Sequence, residues 1–118
     1  MGRIEKINQQ VKREIGMIIQ QELSDPRVQF VTITGADVSK DLRNGKISFS
    51  VLGGQNQVRD AQNGLDSAKG MIRKLLGQRM EIRYVPELFF IFDQSIEMSA
   101  RIEETLKEIH NEHERDNL

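Results

Sequence analysis

The sequence predicts an α+β fold, with helices packed on one face of a three-stranded sheet in the order helix, strand, strand, kinked helix pair, strand and one further helix. Three observations predict it. Apolar residues recur at intervals of three and four near the start, in the middle and near the end of the chain. Between these stretches lie shorter runs rich in β-branched and aromatic residues, which alternate with polar ones. Glycine, proline and asparagine gather at the joins. A 3.6-residue period gives a helix one apolar stripe and a period of two gives a strand one apolar face, so the two kinds of element must cover each other.

Ile4, Ile7, Val11, Ile15 and Ile18 step by three and four, with Arg3, Lys6, Lys12 and Arg13 on other faces, which describes an amphipathic helix of about twenty residues. Ser24-Asp25-Pro26 ends it, because proline cannot continue the hydrogen-bond ladder and pushes its predecessor toward extended geometry. A strand is expected from Val28 to Val38, dense in β-branched residues at Val31-Thr32-Ile33-Thr34. Ser39-Lys40-Asp41-Leu42-Arg43-Asn44-Gly45 is expected as a turn, with Asn44-Gly45 as a hairpin signal, and Ile47, Phe49 and Val51 then alternate with Lys46, Ser48 and Ser50 in a second, antiparallel strand.

After Gly53-Gly54 a helix is expected from near Val58 to near Gly77. Val58, Ala61, Leu65 and Ala68 form its first stripe, and Ile72, Leu75, Leu76 and Arg79 its second. Gly70 lies at the join, so Ser67-Ala68-Lys69-Gly70 is read as a hinge between two short helices. A bend there frees backbone amides beside Lys69 and Arg73, a place for a phosphate. The competing reading is that Gly70 only lets helices pack closely and that the basic residues form a solvated face. A third strand is expected over Met80 to Phe92, broken at Pro86, with Leu88-Phe89-Phe90-Ile91-Phe92 buried on both faces. From Ser95, Met98, Ile102, Leu106 and Ile109 mark a last amphipathic helix. Residues 1–109 are read as one domain, and 110–118 as a flexible acidic tail with little to bury.

At 118 residues the chain is large enough to fold around one core without staples, and it has no cysteine for a disulfide or a thiolate metal site. No apolar run approaches the length of a membrane span, and the N-terminus lacks the apolar centre of a signal peptide, so a cytoplasmic address is expected. The net charge of −1 conceals an asymmetry. Residues 1–92 carry 14 basic and 10 acidic side chains, and residues 93–118 carry three and eight, so a basic body is followed by an acidic end.

Catalysis has poor candidates. His110 and His113 are the only histidines, with no third ligand beside them, so no metal is expected. No serine in the body has a histidine to activate it, and Gly53-Gly54-Gln55 lacks the lysine of a phosphate-binding loop. Asp25 and Asp41 read as turn or capping residues. The positive candidate is a binding surface: Lys69, Arg73, Lys74, Arg79 and Arg83 follow the expected hinge, and residues 59–83 hold six basic and three acidic side chains. Phosphate contact and shape, rather than stacking on the few aromatics, is the expected mode of recognition.

In their order and spacing, Arg3-Ile4-Glu5-Lys6-Ile7-Asn8, Asp25-Pro26-Arg27-Val28, Val38-Ser39-Lys40-Asp41-Leu42, Ala68-Lys69-Gly70, Arg83-Tyr84-Val85-Pro86-Glu87-Leu88 and Asp93-Gln94-Ser95-Ile96 resemble the ribosome-binding factor A family, up to about Leu106. The resemblance implies a type II KH-like domain in which a helix-kink-helix with an Ala-x-Gly signature replaces the Gly-x-x-Gly loop. It further implies a non-catalytic, cofactor-free monomer that binds 16S rRNA in the free 30S subunit, assists late maturation including 5′-end processing, and supports growth in the cold. Neither a membrane nor a small-molecule substrate is expected. With the basic cluster, the candidate RNA-binding residues are Ser67, Ala68, Lys69, Gly70, Arg73, Lys74, Arg79 and Arg83, with Arg3, Lys6, Lys12, Arg13, Lys40, Arg43 and Lys46 as candidates for additional contacts. An interaction module that docks on a protein, its basic face incidental, is the alternative.

Overall fold

The structure, a computed structural model, describes residues 2–94. The helix expected from Ser95, the domain limit at residue 109, the tail, and His110 and His113 lie outside the described residues.

The elements are α1 (Arg3–Glu22), a 3-10 turn (Pro26–Val28), β1 (Val31–Val38), β2 (Asn44–Val51), α2 (Gln55–Met80) and β3 (Glu87–Phe92). The sheet order is β1-β2-β3, with β1 and β2 antiparallel and β2 and β3 parallel. A parallel pair cannot be closed by a tight turn, and the 26 residues of α2 supply the crossover. Both helices cover the face on which Val31, Ile33, Ile47, Phe49, Leu88 and Phe90 are buried, against Val11, Ile15 and Ile18 of α1 and Ala61, Leu65, Ile72 and Leu76 of α2. This is the expected α+β arrangement.

Both helices start on a glycine with an acceptor three residues on. The Gly2 N–H donates to Glu5 Oε2 at 2.7 Å and the Gly54 N–H to Gln57 Oε1 at 2.9 Å, each occupying an amide at the helix start. Asp25 caps the 3-10 turn by accepting from the Arg27 N–H at 2.9 Å and pairs with the Arg27 guanidinium, which holds its carboxyl below the usual range. The first three residues of the expected strand from Val28 therefore belong to a turn and a bend rather than to β1.

Of the turn expected over 39–45, residues 39–43 make the bend between β1 and β2, while Asn44-Gly45 already pair as strand residues. Leu42 takes the left-handed conformation at φ 62°. Asp41 secures the turn by accepting from the Ser39 hydroxyl at 2.6 Å and from the Arg43 N–H at 3.1 Å, and those bonds lower its pKa. Within β1 the pairing shifts at Thr34, between Ile33 and Gly35. The extra residue changes parity, so that Ile33 and Val38 both face the core. Thr34 is put to use: its hydroxyl donates to Asp93 Oδ2 at 2.9 Å, tying β1 to the end of β3.

Two expectations are corrected. Residues 81–86 form a connection rather than strand, and β3 alternates, with Leu88 and Phe90 buried and Phe89 and Ile91 exposed, because helices cover only one face of the sheet. α2 is one helix that runs through Ser67-Ala68-Lys69-Gly70 to Met80 and ends on Glu81 in the left-handed conformation. The amides expected to be freed at Gly70 lie inside a continuous helix.

Candidate nucleic-acid interface

The basic residues of α2 point in three directions, fixed by their helical spacing. Gln62, Asp66, Lys69 and Arg73 recur at four, three and four residues and run beside β3. The Gln62 amide donates to Phe90 O at 2.8 Å, and Arg73 donates through Nε to Pro86 O at 3.0 Å and through a terminal nitrogen to Val85 O at 2.9 Å. Lys69 Nζ lies 4.0 Å from Asp66 and 5.6 Å from the centroid of the Phe89 ring. Arg73 is therefore half-buried and engaged, not the freely exposed phosphate ligand that the spacing suggested. An arginine in this role uses its fork of donors on carbonyl groups that have no partner in the β2–β3 ladder.

Arg79 faces α1. Its guanidinium lies 3.5 Å from Glu14 and 3.4 Å from Glu22, and it donates to Gln21 Oε1 at 3.3 Å. The third direction is outward, where Ser67, Gly70, Met71 and Lys74 are exposed. Ala68 is half-buried against the core. A Cβ at Gly70 would meet nothing within 4 Å among the described residues, so Gly70 is not a packing glycine. That role belongs to Gly64, where a Cβ would come within 2.8 Å of Val28, and to Gly77, within 2.8 Å of Val85.

Of the additional candidates, Arg3, Lys6, Lys12, Arg13, Lys40, Arg43 and Lys46 are all exposed. Arg3, Lys6 and Arg13 recur along one side of α1, with Gln9 and Gln10 beside them, and among the described residues only Arg13 of the three is in an ion pair, with Glu14 at 3.9 Å. Lys40 and Arg43 sit in the β1–β2 turn and Lys46 on the sheet face away from the helices.

This fold has known counterparts. A family profile described as ribosome-binding factor A matches residues 3–106. The chain belongs to the ribosome-binding factor A family. A ribosome-binding factor A of Halothermothrix orenii is 41% identical over 114 residues, covering 97% of this chain and 93% of the relative. One from Acetivibrio thermocellus is 45% identical over 109 residues, covering 92% and 89%. The crystal structure of ribosome-binding factor A from Thermus thermophilus superposes with a TM-score of 0.68 at 25% identity, covering 77% of this chain and 96% of that one. A homology model of the Thermus protein, fitted into a cryo-electron microscopy map of its complex with the 30S subunit, matches at a TM-score of 0.63 and 25% identity, over 74% and 91%.

In this member of the family the connection after α2 carries a feature that periodicity hides. Tyr84 falls within the strand expected over Met80 to Phe92, yet the residue is 78% exposed, because residues 81–86 leave the sheet before β3 begins. The Arg83 guanidinium stands 5.6 Å from the ring centroid. The signal was present in the sequence as Pro86, which blocks a strand from running straight from Met80 to Phe92. Among the described residues no helix is long and apolar enough to cross a membrane.

Proposed function

We propose that the protein binds the free 30S subunit through 16S rRNA and assists its late maturation, including 5′-end processing, as a monomer in the cytoplasm that performs no catalysis. The observation that carries this reading is the relative in Thermus whose homology model was fitted into a map of a 30S complex and whose fold this chain shares. The charge on the described surface supports it. Lys74 and Arg83 on the α2 side, Lys40, Arg43 and Lys46 around the sheet, and Arg3, Lys6 and Lys12 on α1 are exposed cations with no ion pair among the described residues. RNA is proposed to meet the outward face at Ser67, Gly70 and Lys74 together with Arg83. Lys69, Ala68, Arg73 and Arg79 support that face from beneath, Lys69 with 29% of its side chain still open to solvent.

Sedimentation with purified ribosomal particles tests the reading. The protein should travel with free 30S subunits and be scarce on translating 70S ribosomes, and cells that lack it should accumulate 16S precursors with unprocessed 5′ ends. Absence from the 30S fraction at low salt rejects the proposal. A salt-insensitive complex with a protein would favour the docking module instead.

A further inference from the structure

At the end of the sheet where β2 and β3 begin, a groove of about 670 Å³ opens between α1, the β1–β2 turn and the α2–β3 connection. Its walls are apolar, with Ile7 and Val11 from α1, Leu42 from the turn, and Met80, Ile82 and Val85 from the far side. Its rim is of another kind. Tyr84 stands there with its ring open to solvent, and Arg43 and Arg83 stand beside it, neither in an ion pair among the described residues. Arg73 also lines the groove but is committed to Val85 and Pro86. Two carboxylates share the rim, Asp41, which is bonded to Ser39 and the Arg43 N–H and lies in the field of the Arg43 guanidinium, and Glu87, so that with Arg73 three cations face two anions.

We propose that this groove seats an unpaired RNA base, stacked on the Tyr84 ring, with Arg43 and Arg83 taking the flanking phosphates. The proposal rests on the RNA-binding reading above and names the part of the RNA that is read. A planar apolar body with an anion on each side is the chemistry that an apolar groove with a guanidinium rim fits, and the volume suits a ligand of nucleotide size. The Arg83 guanidinium lies over one face of the tyrosine at 5.6 Å, which leaves the other face for a base. A base-paired helix cannot offer its bases this way, so the groove selects single-stranded or bulged RNA. The packing that forms the site is intramolecular and precedes RNA, since Ile7, Leu42, Met80 and Val85 already lie against the core.

The chain itself provides the reporter, because Tyr84 is its one tyrosine and there is no tryptophan. With the full-length protein, a single-stranded hexaribonucleotide should quench Tyr84 emission, while a blunt RNA duplex of the same strand should leave it unchanged. Tyr84→Ala should weaken 30S association about ten- to a hundred-fold, the loss of one stacked base, and Tyr84→Phe should restore it to within a few-fold. The ring is exposed, so neither variant should lower the melting temperature. Emission unchanged at saturating hexamer, or wild-type 30S association by Tyr84→Ala, overturns the proposal. Quenching by ribosomal protein but not by RNA also overturns it and assigns the groove to a protein side chain. Failure of the wild-type protein to bind 30S at all strikes the RNA-binding reading instead.

Discussion

Gly70 sits mid-helix with no positive φ and with open space where a Cβ would be, a combination that leaves no internal reason for glycine among the described residues. Gly70→Ala should therefore stabilise the domain by about 1 kcal/mol through helix propensity and reduced freedom of the unfolded chain, measurable by urea denaturation. If the bare backbone is where an RNA strand comes close, the same variant should bind 30S subunits more weakly despite its higher stability. Full affinity would move the RNA contact away from Gly70. Spacing alone marked this glycine as special but could not tell a hinge from a packing point or an open surface. That distinction depends on what lies opposite, and what lies opposite Gly64 and Gly77 is Val28 and Val85, 36 and 8 residues away in the chain.

At the scale of elements, α2 is the strap across the edge of β3, and it binds with polar groups rather than apolar ones. Gln62 and Arg73 satisfy outward-facing carbonyls of β3 and the connection before it, which an uncovered edge strand would expose to water or to another chain. Arg73→Ala should thus destabilise the protein by about 2 kcal/mol, since charge-assisted bonds to carbonyl groups are lost and the carbonyls are left without a donor. Arg73→Lys should recover only part of this, because an ammonium cannot span two carbonyls in a fork. A melting temperature unchanged in Arg73→Ala would show that the bonds are dispensable. The helices and the hairpin were legible because their apolar periods are long and unmixed, as in Ile4 to Ile18 and Ile47 to Val51. The limits of β3 were not. Met80, Ile82 and Tyr84 alternate as a strand would, and only the register with β2, which begins at Asn44 opposite Glu87, fixes where pairing starts.

Over the whole molecule the basic body was legible from charge counts, but a count cannot separate cations that hold the fold from cations that face outward. Position relative to carbonyls and carboxylates on other elements decides it. Arg73 and Arg79 fall in the first group, Lys74, Arg83 and Arg43 in the second. The two groups should separate in the salt dependence of 30S binding. Four to six phosphate contacts give a slope of log K against log salt of roughly −3 to −5. Lys74→Gln and Arg83→Gln should each remove about one contact, making the slope shallower by roughly 0.7 to 0.9, with the melting temperature unmoved. Arg79→Gln should behave in the opposite way. Glu22 loses its cation and Glu14 keeps only Arg13 of its own helix, so the joint between α2 and α1 weakens and the melting temperature falls by a few degrees, while the salt slope stays as in the wild type. A shallower slope in Arg79→Gln at unchanged stability would place Arg79 on the RNA and remove it from the framework.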